Sequence, residues 1–291
     1  MPPSFNERAR EAIARRGRLC AGVDPHPELL AEWNLPDDAS GLAAFAQKCV
    51  DAFGDLVAAI KFQVAFFEAH GPEGLTALQV GLDAAAKTGA LVIADAKRGD
   101  IDSTLQAYTR AWLAPGAPFT ADAVTLSPYL GTGALRPAVA AARESGRGVI
   151  ALAATSNAEA RAGQRAKLPD GRSVAQSVVD EVAEWNKADR GASSPSAQPG
   201  GFPRPIGPGG VVVGATFDHG LDLSGLGGVI LAPGFGAQGA SETDVARRFP
   251  VGRDSLLVAA SRSLLRAGPG IGALRAATTR TVDTLENALR A

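Results

Sequence analysis

Leu91-Val92-Ile93-Ala94-Asp95-Ala96-Lys97-Arg98-Gly99-Asp100-Ile101 is the stretch on which the reading of the fold turns. Its first four residues are apolar with no polar alternation. Such a run suits a strand buried on both faces, as strands of parallel sheets are. The run then ends abruptly in charge. Asp95 and Lys97 stand two apart, so an extended chain projects both from the same side. Gly99 permits a tight turn that can bring Asp100 back toward them. A lysine beside carboxylates stays protonated and is fixed in direction. A general acid that delivers a proton to carbon needs both properties. A solvated salt-bridge turn has the same composition, so the rest of the chain has to decide.

Outward from this stretch the pattern repeats. Leu19 to Val23 ends at Asp24, Leu56 to Ile60 at Lys61, and Ala123 to Leu126 at Ser127. Val149 to Ala153 ends near Thr155 and Ser156, and Val211 to Val213 runs into Gly214. Val229 to Leu231 precedes Pro233 and Gly234, and Leu256 to Ala259 ends near Arg262. Helical patterns lie between the runs, most clearly Phe45 to Phe53, Gly74 to Lys87, Ser103 to Trp112 and Ser173 to Lys187. Strands alternating with helices imply parallel crossovers. Eight such units predict an α/β fold, a (β/α)8 barrel formed by residues 1–291 as one domain. A doubly wound open sheet is the structural alternative. Ile271 to Ala291 has helical spacing and is expected to close the barrel. Ala188 to Gly210, crowded with Gly, Pro, Ser and Ala, reads as a flexible insertion with no assigned role. Ser156 to Arg172 reads as a second long, charged and mobile connection.

In a barrel the strand C-termini converge on one face, where active sites sit. Asp24, Lys61, Asp95, Lys97 and Arg262 would then meet despite their separation in sequence. The last two strand ends read Ala232-Pro233-Gly234-Phe235-Gly236-Ala237-Gln238-Gly239 and Ala260-Ser261-Arg262-Ser263. Loops after strands seven and eight commonly hold phosphate in such barrels. Glycines let backbone N–H groups approach the anion, and arginine offers a bidentate fork.

Composition narrows the function classes. The chain has 291 residues, 46% hydrophobic and 20% charged, with a formal net charge of −1. That balance supplies no basic field for nucleic acid or an anionic membrane. Met1 to Gly17 is rich in Arg and Glu and lacks the apolar segment of a secretory signal, so a cytoplasmic location is the default expectation. Cys20 and Cys49 lie in apolar stretches without metal-ligand spacing and read as small buried hydrophobes. His26, His70 and His219 are scattered and make no metal triad. Trp33, Trp112 and Trp185 fit helix packing. Arg147, Arg161 and Arg165 read as solvated surface charges, the last two with a possible place in a lid.

With these residues in view, the sequence resembles orotidine 5′-phosphate decarboxylase from Asp24 to Arg262. It is most similar to the longer bacterial variety of that family, which carries Asp-Ala-Lys-Arg-Gly-Asp-Ile as at Asp95 to Ile101. The resemblance implies a homodimeric (β/α)8 barrel with active sites shared across the dimer interface, and no metal or organic cofactor. It implies conversion of orotidine 5′-monophosphate to uridine 5′-monophosphate, the last step of pyrimidine nucleotide synthesis. It further implies that Asp24 binds the ribose hydroxyls, Lys61 contacts ribose and joins the charged network, and Lys97 beside Asp95 donates the proton. Asp100 and Thr104 would reach into the neighbouring subunit's site. Ser156 would read the pyrimidine edge, and Gln238 would bridge pyrimidine and phosphate. Arg262 would bind the phosphate, with Gly234 and the Ser261 backbone beside it. Ser261 stands where many relatives have glycine.

Two other readings fit parts of the pattern. One is a Mg²⁺-dependent sugar-phosphate decarboxylase or aldolase of the same barrel group, which shares Asp-x-Lys-x-x-Asp. The Arg98-Gly99 form and the Gln238 loop favour the pyrimidine substrate. The other is a non-catalytic nucleotide-binding barrel. A dense charge constellation argues against it, because unpaired buried charges serve no packing purpose.

Overall fold

The structure is a computed structural model that describes residues 3–119, 121–187 and 207–290. Eight parallel strands close into a barrel in sequence order: β1 Leu19–Val23, β2 Ala59–Gln63, β3 Leu91–Arg98, β4 Ala123–Leu126, β5 Gly148–Ala154, β6 Gly209–Val213, β7 Ile230–Ala232 and β8 Leu256–Ala260. β8 pairs with β1 through Leu19↔Val258 and Cys20↔Ala259, which completes the ring and excludes the open sheet. The expected helices are present, with Ala39–Phe53, Gly71–Ala86, Asp102–Trp112, Val174–Lys187 and Ile271–Arg290 the longest of those foreseen. The first of them starts at Asp38, whose carboxylate accepts from the N–H groups of Ser40 and Gly41 at 2.8 and 3.0 Å, satisfying donors that a helix start leaves free.

Apolar residues of each strand divide between two cores, as the two-residue period requires. One set faces the surrounding helices, with Phe45, Phe53, Phe62, Phe67 and Leu82 among its largest side chains. The other fills the barrel interior: Cys20, Ala59, Leu91, Ile93, Ala123, Ile150, Val212, Leu231 and Leu257. Phe5, Ala9, Ala12 and Ile13 belong to this interior cluster too, because the N-terminal helix Phe5–Arg16 caps the bottom of the barrel. A Cβ at Gly148 would come within 2.3 Å of the Phe5 ring, so the start of β5 needs glycine for that helix to dock.

Several boundaries differ from the sequence reading. Leu56 to Ala58 precede β2, so Lys61 lies in the middle of its strand rather than after it. β3 continues through Asp95, Ala96, Lys97 and Arg98, because its charged end is still paired to β4 at Arg98↔Leu126. Gly209 and Gly210 belong to β6, and Gly207 and Pro208 are buried, so the expected 188–210 insertion ends earlier. Its residues 188–206 lie outside the described residues. The 156–172 connection holds a helical turn, Arg161–Gln164, and its Lys167 bridges to Ser173 just beyond it. Arg147 is half-buried, donating to the Trp112 carbonyl at 2.8 Å, and is not a solvated charge. Cys20 and Cys49 are buried and unpaired, as expected, and burial pushes the Cys20 thiol up to about 12. Trp33 and Trp112 stack on Phe45 and Phe119 at 4.3 and 4.5 Å.

Candidate active site

Lys61 rises from the middle of β2 into the barrel interior and is only 7% exposed. A lysine this deep requires charge partners, since desolvation alone would neutralise it. They come from the adjoining strands. Lys61 Nζ lies 3.1 Å from Asp95 Oδ2 on β3 and 3.9 Å from Asp24 Oδ1 beyond β1, with Gln63 Oε1 at 3.5 Å. Burial opposes the charge on Lys61, but Asp95 and Asp24 outweigh it and hold the ammonium above its ordinary range. For Asp95, burial favours the neutral acid. Lys61, Lys97 and a hydroxyl donor overcome this and hold the carboxyl well below the usual range.

Asp95 is the hub. Its Oδ1 accepts from Lys97 Nζ and from Thr125 Oγ1, both at 2.8 Å. Asp95 and Lys97 do share a side, but by a less regular route than simple alternation. β3 and β4 pair at Ala94↔Val124 and then at Arg98↔Leu126, so the strand bulges between them. Lys97 takes φ +48°, a left-handed conformation unusual for a residue with a side chain. Its side chain is 45% exposed, so the ammonium stands at the open mouth while Asp95, at 13%, sits beneath it. Arg98 turns outward to an ion pair with Glu68, donates to the Ala96 carbonyl at 3.0 Å, and lies over the Tyr108 ring.

Two buried oxygens border the same mouth without a hydrogen-bond partner among the described residues, Asp24 Oδ1 and Ser261 Oγ. A Cβ placed at Gly22 would lie 3.2 Å from the first and 3.1 Å from the second, so both face the space above that glycine. Buried polar atoms left unpaired are costly, and such atoms at a strand end point to a polar ligand. Next to Ser261, the half-buried Arg262 makes no ion pair or side-chain hydrogen bond among the described residues. The loop after β7 approaches it. Gly234 and Gly236 have φ of +110° and +70°, and a Cβ on Gly236 would press to 2.8 Å from Ser263 Oγ. The loop closes on itself through Ala240 N–H to the Gly234 carbonyl at 3.1 Å, leaving Gln238 exposed at its tip.

The other expected residues are placed less centrally. Ser156, half-buried, follows β5, and its carbonyl accepts from Thr216 Oγ1 at 3.1 Å. Asp100 is not folded back onto Lys97 within the chain. Its carboxylate accepts from the Ile101 N–H at 2.8 Å and forms no ion pair among the described residues. The expectation that the Gly99 turn brings it there fails because Gly99 lies against the Ser127 carbonyl, where a Cβ would come to 2.4 Å, and the chain is led outward. Thr104 is exposed on the helix Asp102–Trp112. His26 packs edge-on against Phe66 at 4.3 Å. Thr125 was missed by sequence reading. It is the single polar residue of an apolar strand, and its parity with Ala123 should have placed it in the barrel interior.

With this geometry established, comparison with known proteins is specific. A sequence profile described as the orotidine 5′-phosphate decarboxylase / HUMPS family matches residues 17–277. The chain is 47% identical to a Salinispora arenicola protein named orotidine 5′-phosphate decarboxylase, over 98% of each chain. It is 45% identical to a Corynebacterium efficiens protein of the same name, over 97% of this chain and 96% of that one. A crystal structure from Streptomyces avermitilis, provisionally designated an orotidine 5′-phosphate decarboxylase, superposes with a TM-score of 0.90 at 43% identity, covering 99% of this chain and 97% of that one. The chain therefore belongs to the orotidine 5′-phosphate decarboxylase / HUMPS family.

Proposed function

We propose that this protein is the orotidine 5′-monophosphate decarboxylase of pyrimidine nucleotide synthesis, a carboxy-lyase that releases uridine 5′-monophosphate and CO2. The observation that carries the reading is the buried Asp95 carboxylate gripped between two ammonium groups, with Lys97 presented to the mouth of the barrel. The whole-length relatives named above support the same substrate.

The chemistry follows from that arrangement. Loss of CO2 from C6 of the pyrimidine leaves a carbanion in the plane of the ring, with no adjacent carbonyl to absorb the charge. A fixed ammonium stabilises the developing negative charge and then protonates the carbon. This is preorganised electrostatics, which costs no reorganisation during the reaction. Asp95 holds Lys97 in direction and balances its charge, and Lys61 on the other carboxylate oxygen helps keep Asp95 ionised. Asp24, whose Oδ1 has no hydrogen bond among the described residues and only the Lys61 ammonium at 3.9 Å, suits the ribose hydroxyls. Arg262 and the backbone of Ser261 and Gly234 suit the phosphate, since the guanidinium makes no ion pair or side-chain hydrogen bond among the described residues. Ser156 and Gln238 are assigned to the pyrimidine and to the link between ring and phosphate. Phosphate binding far from C6 supplies energy for closing the glycine loop over the ring.

The reading includes a homodimer, with a cytoplasmic site of action. Ser127 N–H donates to the Arg98 carbonyl at 2.7 Å, so the loops after β3 and β4 run side by side. Together they expose Ile101 at 49%, Tyr129 at 92% and Leu130 at 54%, an apolar surface beside the mouth. Asp100 precedes Ile101 and Thr104 is exposed on the following helix, and neither bonds to its own Lys97 among the described residues. A second copy covering this surface accounts for both features, and each Asp100 then serves the opposite Lys97.

The test is to incubate the purified protein with orotidine 5′-monophosphate in the presence of a chelator and follow the pyrimidine absorbance. Metal-independent conversion to uridine 5′-monophosphate is expected. Turnover that requires Mg²⁺ would favour the sugar-phosphate chemistry of the same barrel group, and binding of uridine 5′-monophosphate without turnover would indicate a silent barrel.

A further inference from the structure

We infer that Thr125 is a positioning residue for the decarboxylation, setting the aim of the Lys97 ammonium through a closed ring of hydrogen bonds. The inference rests on the reading of Lys97 as the group that meets C6. Three residues of β3, Asp95 to Lys97, lie opposite Thr125 alone, because the ladder passes from Ala94↔Val124 directly to Arg98↔Leu126. A bulge of this kind re-aims side chains and would otherwise leave the strand free to shift.

Thr125 is fully buried, and its hydroxyl is used twice. It accepts from the Lys97 backbone N–H at 3.0 Å and donates to Asp95 Oδ1 at 2.8 Å. A hydroxyl has one proton, and an ionised carboxylate only accepts, so the direction of both bonds is fixed. The same Asp95 oxygen takes Lys97 Nζ at 2.8 Å. Main chain and ammonium tip of Lys97 are thus tied to one hydroxyl and one carboxylate, and neither end can drift without breaking the ring. The left-handed φ of +48° at Lys97 makes this necessary. That conformation is disfavoured in an L-residue and persists only where the surroundings over-determine it. Among the described residues the Thr125 hydroxyl bonds only to Asp95 and Lys97, so its effect belongs on the chemical step.

Thr125→Val removes the hydroxyl at nearly constant volume, and Thr125→Ser restores it. Thr125→Ala, measured alongside, covers the case in which valine prevents folding. For Thr125→Val, or for alanine in its place, kcat is expected to fall about 10- to 100-fold, the scale of an ångström-level misplacement. KM for orotidine 5′-monophosphate and affinity for uridine 5′-monophosphate should stay within about threefold, because uniform binding is untouched. Thr125→Ser should recover most of the rate. A valine variant with wild-type kcat, a serine variant as slow as valine, or loss of product affinity in step with kcat would each overturn the inference. A wild-type protein that does not decarboxylate the substrate would overturn the functional reading and this inference together. An active wild type with an unaffected valine variant overturns this inference alone.

Discussion

At the scale of single residues, the site is a chain of alternating charges in which each member is held by its neighbours. Asp95 illustrates the consequence for pH. Its carboxyl is held below its ordinary value of 3.8, so the unfolded chain binds that proton more readily than the folded protein. The stability it contributes is complete above about pH 4 and is lost as pH falls from there toward the folded-state value. Urea midpoints measured from pH 7 down to pH 3 should therefore fall on the acid side, and more shallowly in Asp95→Asn. An acid limb of equal slope in both proteins would remove Asp95 from the linkage. Arg262 gives a second residue-level expectation. Arg262→Ala should weaken uridine 5′-monophosphate about 10- to 100-fold, the scale of one charge-assisted hydrogen bond or slightly more, with uridine affinity little changed. Unchanged nucleotide affinity by calorimetry would exclude this phosphate site. The cluster of Lys61, Asp95 and Lys97 was legible in the sequence because charges that interrupt or end apolar runs are rarely accidental. Thr125 was not, since a threonine inside a strand looks like ordinary β-propensity until the bulge opposite it is seen.

At the scale of elements, the strands were legible to within a few residues, and the N-terminal helix was not. Eight apolar runs announce themselves by lacking alternation. Met1 to Gly17 shows only an Arg- and Glu-rich composition, which says nothing about what the arginines reach. In the fold, Arg16 donates to the carbonyls of Gly54 and Thr88 at 2.7 and 3.1 Å, and Arg8 pairs with Asp122, so the charged face binds loop ends at the bottom of the barrel. Asn6, buried on the same helix, donates to the Gly207 and Gly209 carbonyls and accepts from Val229 N–H. Asn186 completes the set from the helix Val174–Lys187, accepting from Gly209 N–H at 3.0 Å and donating to Leu226 and Gly209 carbonyls at 3.0 and 3.1 Å. These two amides secure the entry to β6. Asn186→Leu removes the side-chain partner of two buried backbone groups, the Gly209 N–H and the Leu226 carbonyl, each worth roughly 1–3 kcal/mol. A destabilisation of about 3 kcal/mol in urea unfolding is expected, with kcat nearly unchanged because the defect lies at the end of the barrel opposite the site. A change below about 0.5 kcal/mol would show that the amide network is not needed.

At the scale of the whole molecule, the barrel solves the problem of bringing distant residues together, while the dimer would supply what one chain lacks. Asp100 is the residue that exposes this division. Sequence reading placed it near Lys97 by its spacing, whereas in the folded chain it makes no ion pair among the described residues and adjoins the exposed Ile101. Spacing cannot distinguish a side chain that folds back from one that crosses to a neighbour. Leu130→Asp combined with Tyr129→Asp should shift the protein from dimer to monomer in sedimentation and reduce turnover at least tenfold, because an interface core tolerates buried charge poorly. A fully active monomer would contradict a shared site. The account as a whole depends on the Lys97 ammonium, and the most direct test is the turnover of Lys97→Ala on orotidine 5′-monophosphate. A fall of at least about 10³-fold is expected, the scale of losing a preorganised charge and proton donor, with the variant still folded and still binding uridine 5′-monophosphate. Decarboxylation by that variant at the wild-type rate would contradict the account.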